Sequence, residues 1–151
     1  MKHHFLLDEN VFHHAVKGVD NYDNEDSTSA ELILRIARNC HRIVINPFLA
    51  RRYRRHLQTL QAARGVLQAS FLINRVIENS EKLVWQHDPL PALPQGCMIP
   101  AEDVEIVRSA LITHPRFVTP EDELRNAINR CEALHLRAIG PAEALDFASE
   151  S

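Results

Sequence analysis

The chain has 151 residues, 45% of them hydrophobic and 25% charged, enough for one sizeable core and too few for two, so residues 1–151 are expected to form a single domain. A net charge of −3 excludes a protein that coats nucleic acid by bulk charge, while leaving room for a local basic face. The start Met1-Lys2-His3-His4 lacks a signal-peptide pattern, no segment approaches bilayer-spanning length, and Cys40, Cys97 and Cys131 are scattered and odd in number. Neither a disulfide framework nor a cysteine metal knot is implied, so the expected setting is a reducing cytoplasm without a membrane partner.

Short apolar runs alternate with amphipathic stretches, the pattern of an α/β fold with a parallel sheet. In chain order, strands are expected at His4 to Leu7, at Arg42 to Ile45, where Ile43-Val44-Ile45 is β-branched throughout, at Leu83 to Trp85, at Arg116 to Val118 and at Leu136 to Ile139. The first helix is expected from Asn10 to Lys17, ended by Gly18, and the second from Ser29 to Asn39 behind the cap-rich Asp26-Ser27-Thr28-Ser29. A third runs from Pro47 to about Gln61, with Leu49, Tyr53, Leu57 and Leu60 as its buried stripe. Others follow at Val66 to Ser80, Ala101 to Leu111, Pro120 to Ala133 and Ala142 to Ala148. Val19 to Asp26 reads as a solvated loop, and Asp88 to Pro100, with four prolines, as an irregular connector.

Acids stand where this arrangement gathers ligands, at the carboxyl ends of the strands. Asp8 ends the run Phe5-Leu6-Leu7, Glu121 follows the strand ending at Val118, and Asp103 lies in the first turn of its helix. Two such charges about 4 Å apart repel by roughly 4 kcal/mol at an effective dielectric near 20, enough to raise one pKa by about three units unless a cation intervenes. Oxygen-only ligation suits Mg²⁺ or Mn²⁺ rather than Zn²⁺. Each acid also has an ordinary role open to it. Asp8 serves equally as a helix N-cap, Asp103 and Glu121 as first-turn acids favoured by the helix dipole, and Thr119 as a cap. The adjacent His13-His14 lacks the four-residue spacing of a helical zinc pair. A phosphoacceptor receiver domain is excluded because no lysine lies beyond Lys82.

The strand-end Asp8 with Asn10-Val11, Asp103 leading into Ile106-Val107 and Ala110-Leu111, Val118-Thr119 with Glu121 and Leu124, and the closing run from Leu136 to Leu145 resemble the PIN domains, metal-dependent ribonucleases that include many bacterial toxins. The resemblance spans nearly the whole chain. It implies a three-layer α/β/α fold with a central parallel sheet of about five strands, one or two Mg²⁺ or Mn²⁺ ions, and hydrolysis of RNA phosphodiesters by metal-activated water. Asp8, Asp103 and Glu121 would be the catalytic metal ligands, Asp122 a further ligand if the turn is shifted by one residue, and Asn10 and Thr119 pocket supports. By analogy with the family, an antitoxin partner and a homodimer are also implied.

Two positions depart from the family pattern. Glu121 stands where an Asp is usual, and Arg52 stands where the family normally carries a Glu. A guanidinium supplies charge but no ligand oxygen, so Arg52 would pair with Asp8 or Asp103 and weaken or replace the metal. Two functions follow: a metal-dependent endoribonuclease, or a catalytically impaired PIN-like domain that binds RNA or protein. In the first, Arg51, Arg54 and Arg55 would hold the RNA backbone; the ordinary reading of that helix face is a solvated surface.

Overall fold

The β-branched and aromatic runs at residues 4–7, 42–45, 83–85 and 116–118 form strands with the expected bounds, in a computed structural model that describes residues 2–64 and 73–150. They are β1 (His4–Leu7), β2 (Arg42–Ile45), β3 (Leu83–Trp85) and β4 (Arg116–Val118), joined by a two-residue β5 (Ala138–Ile139). β5 is shorter than the expected Leu136 to Ile139, since only Ala138 and Ile139 pair with residues of β4, with Arg137 adding its carbonyl as acceptor for the Phe117 N–H. All neighbours pair in parallel, in the order β3-β2-β1-β4-β5. Successive strand residues point to opposite faces, yet Phe5, Leu6, Leu7, Ile43, Val44, Ile45, Phe117 and Val118 are all buried. Both faces of the sheet are therefore covered, giving the expected α/β/α layering.

The strand order also fixes where a ligand belongs. The chain builds outward from β1 through β2 to β3, then returns to the other side of β1 with β4 and continues to β5. The order reverses between β1 and β4, so their carboxyl ends open a crevice, the usual ligand position in an open α/β sheet.

Helix α1 (Glu9–Lys17) starts immediately after β1 and ends at Gly18, whose φ of 66° and N–H bond to the His14 carbonyl close the last turn. Val11, Phe12, Ala15 and Val16 form its buried stripe. In α2 (Thr28–Arg38) the stripe is Leu32, Ile33 and Ile36; Ser27 holds the N-cap position without a side-chain bond, and Asp26 before it accepts from the Thr28 N–H at 2.8 Å. α3 (Pro47–Arg64) is capped by Asn46, which accepts from the Leu49 N–H at 2.8 Å, and it buries Leu49, Tyr53 and Leu57. The Leu60 side chain and residues 66–72 of the helix expected from Val66 to Ser80 lie outside the described residues. The described part of that segment is a π-helical turn at Ile73–Ile77 and a 3₁₀ turn at Ser80–Lys82.

Past the proline connector, a 3₁₀ turn (Ala101–Asp103) leads into α4 (Val104–Ser109), α5 (Asp122–Arg130) is followed by a 3₁₀ turn at Glu132–Leu134, and α6 (Pro141–Ala148) closes the fold against α2. Pro120 precedes α5 rather than entering it. Arg108 fastens the connector by donating to the carbonyls of Pro91 and Leu90 at 2.8 and 2.9 Å.

A second fastening corrects the sequence reading of the cysteines. Cys97 in the connector and Cys131 at the end of α5 are joined as a disulfide, with Cα atoms 5.5 Å apart. Their separation of 34 residues hid the pair, because tertiary packing alone brings the connector against the end of α5. The cysteine pattern therefore gives no argument for a reducing compartment. No helix among the described residues is long and apolar enough to cross a membrane.

Candidate acidic site at the carboxyl edge of the sheet

Asp8 lies just beyond β1, its N–H bonded to the Val118 carbonyl of β4 at 2.9 Å, and is only 2% exposed. One carboxylate oxygen accepts from the backbone N–H of Asn10 at 3.4 Å, and the other accepts from the Thr119 hydroxyl at 2.7 Å. Asp8 is therefore the N-cap of α1 as well as the most deeply buried acid of this edge. Thr119, fully buried, also accepts from the Glu121 N–H at 3.1 Å, so its hydroxyl links the ends of β1 and β4 to the start of α5.

Asp103 and Glu121 reach the same edge from two other elements. Asp103 occupies the N-cap position of α4 and Glu121 that of α5, and neither side chain makes a cap hydrogen bond. Burial raises the Asp8 carboxyl to about 6, against the lowering effect of the Thr119 hydrogen bond, and the charges of Glu9 and Asp103 push it the same way as burial. Asp103 is also raised to about 6, by burial first and then by Glu102, Glu9 and Glu121, although Arg52 opposes them. Like-charge repulsion thus acts on Asp8 from Glu9 and Asp103, and on Asp103 from Glu102, Glu9 and Glu121.

Arg52 does not pair with Asp8 or Asp103 but with Glu9, the residue after Asp8. Its Nη2 donates to Glu9 Oε1 at 2.7 Å, and its Nε lies 2.6 Å from Oε2 without the alignment of a hydrogen bond. The guanidinium thus faces a carboxylate one residue from the expected one. Sequence reasoning missed Glu9; the signal was its place beside Asp8, on the first turn of a helix packed against α3. Tyr53, one residue beyond Arg52 and fully buried, donates its hydroxyl to the Leu7 carbonyl and holds α3 against the end of β1.

The remaining candidates lie farther out. Asn10, Glu121 and Asp122 line a cavity of about 440 Å³ together with His13, His14 and the loop after α1. Asp122 is exposed and paired with Arg125, which also donates to the Thr119 carbonyl at 3.1 Å. Burial lowers the pKa values of His13 and His14. On α3, Arg51 and Arg55 are exposed and line a 260 Å³ hollow with Phe48 and Arg52, whereas Arg54 lies 3.5 Å from Glu78. Arg52 therefore borders both the acidic region and this basic hollow.

The oxygen donors of Asp8, Asp103 and Glu121 suit a hard divalent cation, although Arg52, paired with Glu9, already sets a positive charge beside them. The side chains are not gathered into a finished ligand set: among the described residues, no group of three or more Asp, Glu, His or Cys is arranged to hold a metal ion.

No family model matches the chain, and no curated protein matches it. Among solved structures, it is similar to a PilT N-terminus domain protein, SSO1118 from Sulfolobus solfataricus P2, at 12% identity over 98% of this chain and 95% of that one, with a TM-score of 0.49.

Proposed function

We propose that the protein is a metal-dependent phosphodiester hydrolase acting on RNA, in the manner of the PIN domains that its sequence resembles. The observation that carries this reading is the position of Asp8, buried at the carboxyl end of β1 where the strand order reverses, with Thr119 from the neighbouring strand bonded to it and Asp103 close enough to raise its pKa. Asp8 and Asp103 would hold Mg²⁺ or Mn²⁺, with Glu121 completing the set by turning a side chain that caps nothing. The ion would supply a water activated for attack and charge to stabilise the transition state. The chain's own contribution is to fix Asp8 through Thr119 and the Asn10 N–H, to confine Arg52 through Glu9, and to offer Arg51 and Arg55 to phosphates. A cytoplasmic toxin with an antitoxin partner or a homodimer is the biological form that the resemblance suggests.

The test is thermal unfolding with and without Mn²⁺, together with cleavage of single-stranded RNA. Mn²⁺ is expected to raise the melting temperature of the wild type but not of Asp8→Asn, and cleavage is expected to require the metal and to vanish in Asp8→Asn. An equal shift in both proteins would remove Asp8 from the site.

The second reading, a PIN-like domain that binds RNA or protein without cleaving it, is favoured by the Arg52–Glu9 pair and by the lack of an assembled ligand set among the described residues. Metal-independent RNA binding with no cleavage in Mn²⁺ would establish that alternative.

A further inference from the structure

The opposite edge of the sheet carries a second site with the reverse charge. A cavity of about 570 Å³ opens where β1 and β4 begin, roughly 13 Å along β1 from the acidic edge. Its lining includes Lys2, His4, His114, Arg116, His135 and Arg137, and no carboxylate. Two acids outside that lining pair with members of it: Glu150 with His3 at 2.7 Å and Glu143 with Arg137 at 3.0 Å.

Arg116 and Arg137 form the centre. Phe117 is in register with Ala138, and the Phe117 N–H bonds the Arg137 carbonyl, so the two arginines precede paired residues on adjacent parallel strands. Strand spacing sets them about 5 Å apart, on the same side of the pleat. Arg116 is held in place, its guanidinium 3.7 Å from the centre of the Phe147 ring and its Nε 3.4 Å from His3 Nδ1. Among the described residues it has no carboxylate within ion-pair distance, although its charge acts on Glu150. Glu143 meets Arg137 on one side but no carboxylate among the described residues meets Arg116 at ion-pair distance, and an anion between the two like charges would relieve their repulsion.

Two further observations point the same way. His114 and His135 adopt positive φ values of 50° and 51°, and of the described non-glycine residues only Asp23 does likewise. Histidine enters this region more readily than most residues, but each instance still costs on the order of 1 kcal/mol, and both strained histidines line this one cavity. Burial lowers the His4 pKa, and Lys2 and Arg42 lower it further, as expected in a positive field.

We propose that this cavity binds a phosphate group, gripped between Arg116 and Arg137 with Lys2 and the histidines around it. Guanidinium matches phosphate oxygens through paired donors, and imidazole N–H groups can add hydrogen bonds. The phosphate could be a free anion or the terminal group of an RNA, and the two sources share this chemistry.

Isothermal titration with inorganic phosphate, with a short 5′-phosphorylated RNA and with its 5′-hydroxyl counterpart tests the proposal. The wild type is expected to bind the first two and to bind the hydroxyl form at least tenfold more weakly than the phosphorylated one. Arg137→Gln, on an exposed side chain, is expected to weaken phosphate binding by about tenfold, and Arg116→Gln by more. Asp8→Asn should leave it unchanged, which separates this site from the acidic one. If the phosphorylated RNA binds far more tightly than phosphate, the ligand is an RNA end; if the two bind equally, it is the free anion. No binding of phosphate at millimolar concentration, or equal affinity in folded Arg137→Gln, overturns the proposal. Should Arg116→Gln fail to fold, the Arg137 variant decides alone.

Discussion

At the scale of the residue, Asp8 combines a structural and a chemical role that conflict. As an N-cap it stabilises α1, but as a charge it is buried, and burial first, then the charges of Glu9 and Asp103, raises its carboxyl to about 6. The folded state then holds the proton more tightly than the unfolded chain does, so this group favours folding most below about pH 4, and that contribution is lost as pH rises through about 6. The shift corresponds to roughly 3 kcal/mol. Without divalent ions, Asp8→Asn is therefore expected to be more stable than the wild type at pH 7, with the difference closing below pH 4; denaturant unfolding at several pH values measures it. Arg52 and Glu9 make the complementary case. Arg52→Glu would set two half-buried carboxylates against each other and is expected to cost about 2–4 kcal/mol, between surface and buried pairs. Adding Glu9→Arg should recover most of the loss, and a double-mutant cycle reads the coupling.

At the scale of the element, the first helix shows why most boundaries were legible in the sequence. Gly18 ends α1 because the chain must enter the left-handed region there, and a Cβ at that position would meet no atom within 4 Å. Gly18→Ala is accordingly expected to lose about 1 kcal/mol through backbone strain alone, checked by thermal unfolding. The strands were legible for a similar local reason: fully buried parallel strands require unbroken apolar runs, and Ile43-Val44-Ile45 is one. The segment from Ala101 was less so, because a helical period does not distinguish the 3₁₀ turn at 101–103 from the α-helix that follows. That difference matters, since it makes Asp103 the residue at the joint between them. The cap position leaves its carboxylate unused by the helix.

At the scale of the whole molecule, the Cys97–Cys131 bond closes a long loop that runs from the end of the connector through α4, β4 and α5. Loop-closure entropy for that separation is about 3–4 kcal/mol, so Cys131→Ser, or reduction of the wild type, is expected to lower stability by up to that amount in denaturant titration. The same bond steadies the connector that delivers Asp103, so reduction should also weaken the Mn²⁺ response. The two edges of the sheet have opposite character, acids where the strands end and cations where two of them begin. Parallel pairing makes this possible, because it collects all strand ends of one kind on one side.

The sequence by itself determined the fold class and four of the five strands to the residue, and it singled out Asp8 at the exit of β1, because burial and capping impose local patterns that a single chain displays. Tertiary structure alone decided which charges meet. It gave Arg52 to Glu9 rather than to Asp8, joined two cysteines 34 residues apart, and set Arg116, at the start of β4, beside Arg137, just before β5. Those outcomes depend on strand order and helix packing, which bring together residues distant in the chain, and no local period encodes them.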